Sequence, residues 1–227
     1  MEMEGNMSNP NLIVMLTWHD KTVHNAKELF LEAKDAPAKF WGCKREGISE
    51  EYLRELLTLM KDHGKETFME TVAIDEETCL STARIAAECG AQHLIGTVYY
   101  DSVKKVCDEA NMTYAPFVGL GEDTHLHGTP DEICAKAKAV EAKGVTGISL
   151  SAFRYTEGDQ LELLKTVSNA MDCQMVLAGS VDSYQKLDIL KQNPKLYAFT
   201  IGGAFFEHKF GDSFTEQITK VCDYINK

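Results

Sequence analysis

Eight short apolar runs recur along this chain, each halting abruptly at polar or small residues and each followed by a stretch of helical periodicity. They are Leu12–Leu16, Lys39–Cys43, Thr67–Ala73, His93–Val98, Thr113–Val118, Gly147–Phe153, Met175–Ala178 and Phe199–Ile201. Their ends fall about 20 to 35 residues apart, the period of βα units joined by right-handed crossovers. Seven of the eight read as buried on both faces, whereas an open doubly wound sheet would have shorter or more polar edge strands. The expected fold is therefore α/β, a single (β/α)8 TIM barrel of eight parallel strands inside an outer ring of helices. A chain of 227 residues suits one such barrel. No Gly/Ser linker, charge block or low-complexity tract marks a boundary, so residues 1–10 are expected to form an N-terminal tail and 11–227 one barrel domain.

Local signals place the helices. Ser49 precedes Glu50 and Glu51 and an apolar stripe of Leu53, Leu56, Leu57 and Met60, and Asp75 precedes Glu76 to Ala87. Thr129-Pro-Asp-Glu132 is a cap with proline at the first helical position and a carboxylate three residues after the cap. Gly158 or Asp159 opens the sixth helix, and Phe214 to Ile225 closes the chain. The fifth strand reads as the weakest, because Pro116 lacks the N–H a central strand would use.

The balance of 23 basic against 35 acidic residues, net charge −12, argues against nucleic-acid or anionic-membrane binding. An anionic substrate stays compatible with it if positive groups gather in one pocket. Seven scattered cysteines without a C-x-x-C pair read as reduced thiols, filling helix and strand faces rather than binding metal. Met1 to Pro10 has no positively charged leader, and no run approaches the roughly 18 apolar residues of a membrane helix. The reading is cytoplasmic, with no cofactor and no metal, and the acidic surface and many helices are compatible with a homo-oligomer.

In a barrel of this kind, function-bearing groups come from the carboxyl ends of the strands and the loops that follow. That rule selects His19 and Asp20, Lys44, Arg45 and Glu46, Glu70 and Thr71, Tyr99, Tyr100 and Asp101, Glu122, Asp123, His125 and His127, Arg154 and Tyr155, Ser180 and Asp182, and Glu207. If Lys44 faces the mouth, burial and the neighbouring Arg45 would both lower its pKa and make it a base or nucleophile. The plainer reading is a solvated lysine.

Glu70 sits inside an apolar strand, where a carboxylate is costly unless paired. It is expected either to bridge to Lys44 structurally or to form with it the acid/base pair that enolisation of a carbonyl requires. Arg154 reads as an anchor for a carboxylate or phosphate, or as a salt-bridge partner of Glu157 or Asp159. Arg45, His19 and Tyr99 are further substrate contacts, while His125 and His127 read as a mobile lid or, less simply, a ligand pair.

The last two runs stop at small residues, Gly179-Ser180 and Gly202-Gly203, where backbone amides can approach an anion. Ala178-Gly-Ser-Val-Asp-Ser183 followed by Phe199-Thr-Ile-Gly-Gly-Ala-Phe-Phe206 resembles the phosphate-binding signature of the ribulose-phosphate-binding barrels. That superfamily includes sugar-phosphate epimerases, indole and histidine biosynthesis barrels, orotidine-phosphate-type decarboxylases and keto-deoxy-phosphogluconate-type aldolases. The resemblance implies that Gly179, Ser180, Gly202 and Gly203 bind the phosphate of a small phosphorylated metabolite.

Departures from its branches narrow the reaction. The decarboxylase branch carries Asp-x-Lys-x-x-Asp on the third strand, and here Met69-Glu-Thr-Val-Ala-Ile-Asp75 has no lysine. The metal-dependent epimerases need histidines and aspartates on the second, third and seventh strands, and only Asp182 is near such a position. Schiff-base aldolases usually place their lysine on the sixth strand, where this chain has Arg154. The best fit is a metal-independent isomerase or epimerase of a phosphorylated sugar or sugar acid, similar in logic to the amino-sugar phosphate epimerases, with Lys44 and Glu70 catalytic. The alternatives are a Schiff-base aldolase using Lys44 and a non-catalytic barrel that binds a phosphometabolite.

Overall fold

All eight runs become strands in the computed structural model, which describes residues 9–121, 123 and 125–227. They are β1 (Asn11–Met15), β2 (Phe40–Lys44), β3 (Glu66–Thr71), β4 (His93–Val98), β5 (Thr113–Phe117), β6 (Gly147–Leu150), β7 (Gln174–Leu177) and β8 (Leu196–Ile201). Each pairs in parallel with its sequence neighbours, and β1 pairs with both β2 and β8, so the sheet closes on itself. Closure removes the edges an open sheet would expose.

The crossovers carry α1 (Ala26–Ala33), α2 (Glu50–Asp62), α3 (Glu76–Cys89), α4 (Asp101–Glu109), α5 (Pro130–Glu141), α6 (Gln160–Ala170) and α7 (Tyr184–Lys191). A short α8 (Gly203–Phe206) and a closing α9 (Phe214–Asn226) follow β8. The caps form as the sequence indicates: Ser49 accepts from the Tyr52 amide, Asp75 from Thr78, and Thr129 and Glu132 bond reciprocally. Asp159 rather than Gly158 opens α6, its carboxylate accepting from the Leu161 and Glu162 amides. Among the described residues no helix is long and apolar enough to cross a membrane.

Alternation along the strands sorts side chains into two cores. Ile13, Met15, Phe40, Phe68, Ile95 and Val176 meet inside the barrel. A larger shell including Trp41, Leu56, Leu94, Phe199 and Ile218 fills the space between strands and helices. Pro116 does not exclude β5 from the barrel. The strand pairs with β4 along most of its length but with β6 only at Phe117–Ser149, and the Ser149 hydroxyl bridges the gap by donating to the Ala115 carbonyl at 2.8 Å.

Three features depart from the sequence reading. β3 stops at Thr71 and β6 at Leu150, where the chain bends into a 3-10 turn over Ala152–Arg154. Between β1 and α1 lies a small antiparallel hairpin, Thr17–Trp18 with Lys21–Thr22, whose two turn residues His19 and Asp20 both have positive φ (48° and 60°). Left-handed turn residues match the twist of such a hairpin.

Candidate functional site

Period-two alternation that starts from the core residue Phe40 brings Lys44 to the inner face at the carboxyl end of β2, and starting from Phe68 it brings Glu70 to the same level on β3. The two residues are directly paired across the ladder. At Gly42, between Phe40 and Lys44, a Cβ would sit 2.4 Å from the Met15 sulfur, so a larger residue there would displace the Met15 side chain. Lys44 and Glu70 are both buried, 3% and 8% exposed. The Lys44 ammonium lies 3.3 Å from Glu70 Oε1 and 2.7 Å from Asp20 Oδ1, the latter carried in by the hairpin turn.

This geometry reverses the expectation for the lysine. Burial alone would lower its pKa, but the Glu70 charge and the Asp20 hydrogen bond and charge outweigh it and hold the ammonium above the ordinary lysine value. Arg45, the cation expected to push the other way, turns aside and donates from Nη1 to Ser81 at 3.2 Å. For Asp20, burial would raise the pKa, and the Lys44 hydrogen bond with the Lys44 and Arg154 charges overrides this and keeps it below the usual carboxylate range.

These groups floor a cavity of about 280 Å³ at the carboxyl ends of the strands. Its β1 side carries Thr17, His19 and Asp20, and its β3–β5 side is apolar, with Val72, Phe117 and Leu120. Arg154 enters from the 3-10 turn after β6. Its Nε donates to the Ser180 hydroxyl at 3.3 Å, and its guanidinium lies over Gly179, where a Cβ would meet Nη2 at 3.0 Å. The alternative salt bridge does not form: Glu157 holds His127 and the Gly128 amide, and Asp159 caps α6.

Gly179, Ser180, Gly202 and Gly203 all line the cavity, each in a different circumstance. Gly179 has φ +80° and its amide donates to Thr200 Oγ1 at 2.8 Å, so that amide is already engaged within the chain. Ser180 is also left-handed (φ 59°), with its hydroxyl beside Arg154. Gly202 is small because a Cβ would stand 2.8 Å from the Thr17 carbonyl. Gly203 and Ala204 open α8, where the first amides of a helix have no partner inside it.

His19 lines the cavity and stacks on Trp18, ring centroids 4.5 Å apart. Tyr99 and Arg45, expected as substrate contacts, are outside the cavity wall. The Tyr99 hydroxyl donates to Asp101 at 2.6 Å and its ring stacks on Tyr114; the inward alternation from Ile95 is broken before it by left-handed Gly96 and Thr97 (φ 87° and 60°), where the β4–β5 register shifts. Tyr100 likewise donates to the Ile74 carbonyl, and Asp101 faces Lys143.

His127 is held between Asp123 Oδ1 (2.8 Å) and Glu157 Oε1 (2.5 Å), which raises its pKa and clasps the β5–α5 loop to the β6–α6 loop. Glu122 lies outside the described residues. Among the described residues no group of three or more His, Cys, Asp or Glu side chains converges as metal ligands would. Asp20 is the partner that the strand-end rule named without assigning it to Lys44. Its signal was a turn-forming His-Asp directly after a buried strand.

No protein-family model and no curated protein matches the sequence. Solved structures match the fold. Orotidine 5'-monophosphate decarboxylase from Methanocaldococcus jannaschii, complexed with the inhibitor BMP, superposes with a TM-score of 0.73 at 13% identity, covering 97% of this chain and 100% of that one. Tryptophan synthase from M. tuberculosis, in an open form, gives 0.68 at 12% identity over 97% and 94%. Thiamine phosphate pyrophosphorylase from Pyrococcus furiosus gives 0.65 at 12% over 95% of both. The chain shares its fold with these (β/α)8 barrels.

Proposed function

We propose that the protein is an enzyme acting on a small phosphorylated sugar or sugar acid, as an isomerase or epimerase that works through an enediolate. The observation that carries this reading is the Lys44 ammonium fixed between Asp20 and Glu70 on the cavity floor, with Arg154 and the tips of β7 and β8 on the facing wall. The phosphate is assigned to that wall. There the Arg154 guanidinium, the Ser180 hydroxyl and the amides opening α8 supply donors suited to an anion.

Held as a cation, Lys44 serves as acid rather than base. The Glu70 carboxylate takes the proton from the carbon next to the carbonyl, that C–H pair becomes the C=C bond of the enediol, and Lys44 protonates the carbonyl oxygen. Glu70 returning its proton to the neighbouring carbon, while the hydroxyl on the first carbon gives its proton to the Lys44 amine, gives isomerisation. A proton delivered to the opposite face by a second donor in the cavity, such as His19 or water, gives epimerisation. Lys44 recovers its proton from an enediol hydroxyl as the carbonyl re-forms, and Asp20 holds it as the ammonium between turnovers. A Schiff base would need Lys44 as a neutral amine, which two flanking carboxylates disfavour. The decarboxylase among the structural neighbours suggests another reaction, but here Val72, the residue just past the end of β3, stands where that motif has lysine, and Val72 lines the cavity.

The test is incubation with phosphorylated aldoses, ketoses and sugar acids in deuterium oxide, followed by mass spectrometry and proton NMR. Deuterium entering a carbon next to a carbonyl, lost in Lys44→Met, supports the reading. Substrate-dependent mass on Lys44 after borohydride would favour the lyase. Phosphorylated ligands that bind equally well to Lys44→Met, with no exchange into any of them, would leave a binding protein.

A further inference from the structure

Beyond Leu16 the first strand leaves the barrel wall. The Leu16 amide still donates to the Gly42 carbonyl at 2.9 Å, and the Leu16 carbonyl accepts from Val23 at 3.1 Å, so Thr17 to Thr22 bulge outward as the hairpin. In a parallel ladder alternate residues of a strand turn their N–H and C=O to the same neighbour. On β2 the residue after Gly42 that faces β1 is therefore Lys44, where the β1 backbone has already departed. A buried backbone pair at that point is costly unless something replaces the lost strand.

Thr22 occupies the vacated place. Its hydroxyl donates to the Lys44 carbonyl at 2.6 Å and accepts from the Lys44 N–H at 2.8 Å, satisfying both groups from one atom. Thr22 is itself fixed: it is 2% exposed, its amide donates to the Glu46 carbonyl at 2.8 Å, and Gly47 approaches so closely that a Cβ would stand 2.5 Å from the Thr22 carbonyl. We infer that Thr22 is a positioning residue whose hydroxyl stands in for the missing first-strand backbone and holds Lys44 where its ammonium meets Asp20 and Glu70 together. One hairpin thus brings in Asp20 and supplies the tie that keeps its partner in place. The importance of this for turnover rests on Lys44 being the acid proposed above, so the experiment reads Lys44 itself and needs no substrate.

Competitive acetylation with acetic anhydride, resolved by peptide mass spectrometry across pH 8 to 11, gives the reactivity of each lysine. Lys65, bonded to the Ala38 carbonyl on another side of the barrel, serves as internal reference. In Thr22→Val and Thr22→Ala the Lys44 rate relative to Lys65 is expected to rise about tenfold, as for a shift of one unit in its titration. Thr22→Ser, which keeps the hydroxyl, is expected to stay near wild type. A purely structural role would lower the melting temperature of the Val and Ala variants with the Lys44 ratio unchanged, and that result overturns the inference. Should neither variant fold, amide hydrogen exchange in the wild type decides. Lys44 protection matching that of Leu16 supports the tie, and exchange as fast as an exposed loop amide refutes it.

Discussion

Replacing Lys44 by methionine removes the cation from between two carboxylates whose surroundings differ, and that difference sets the size of the effect. The Glu70 side chain is 10% exposed and the Asp20 side chain 61%. An ion pair facing water is worth about 1 kcal/mol or less, so Asp20→Asn alone is expected to cost no more than that. Removing the cation of a buried pair strands a carboxylate and costs about 3–5 kcal/mol, so Lys44→Met is expected to fall in that range through its Glu70 arm. Glu70→Gln added to Lys44→Met takes away the stranded charge and is expected to recover about half of the loss or more, since the penalty lies in the unpaired ion rather than in lost packing. Urea unfolding followed by far-UV circular dichroism measures all four proteins, with equal m-values as the condition for comparing them. A Lys44→Met cost below about 1 kcal/mol, or a double variant no more stable than the single one, would refute the buried Lys44–Glu70 pair.

Arg154→Ala is expected to weaken binding of inorganic phosphate about tenfold in isothermal titration, the loss of charge-assisted hydrogen bonds, and an unchanged affinity would remove Arg154 from the anion site. Gly179→Ala places a Cβ at φ +80° and 3.0 Å from the Arg154 guanidinium. It is expected to cost about 1 kcal/mol or more in urea unfolding and to weaken phosphate binding in the same direction. As the pH rises above the ordinary lysine value of 10.5, the wild type is expected to lose stability that Lys44→Met lacks. The folded Lys44 pKa is raised, so its contribution is complete below the unfolded value and fades as the pH climbs through the folded one. Parallel alkaline profiles for the two proteins would contradict that sign.

The barrel could be read from the sequence because its evidence is local and repeated. Most strands are apolar runs, as expected for strands buried on both faces, and several helix starts carry their own cap, as at Ser49, Asp75 and Thr129. One weak member, β5 with Pro116, does not break the repeat, because neighbours on both sides fix its place and Ser149 supplies a missing bond. Strand ends were less legible. Whether a chain continues past Thr71 or Leu150 depends on the neighbouring strand rather than on the residue itself.

For the site, position and charge state were unequally legible. That Lys44 and Glu70 share a face follows from counting by two along adjacent strands from Phe40 and Phe68, and their register makes them direct neighbours. The charge of Lys44 follows from no such count. From the sequence, Arg45 stood next to Lys44 and Asp20 stood 24 residues away, so adjacency pointed to a lowered pKa. In the fold, adjacent residues on a strand face opposite sides, which sends Arg45 to Ser81, while the hairpin carries Asp20 to 2.7 Å from the ammonium. The charge of Lys44 is therefore held first by Glu70 across the ladder and then by Asp20 from the loop of the preceding βα unit, whose turn residues His19 and Asp20 take left-handed backbone angles. Straightening that turn would withdraw Asp20 and Thr22 together, leaving Glu70 as the ammonium's one carboxylate and the Lys44 backbone without its tie.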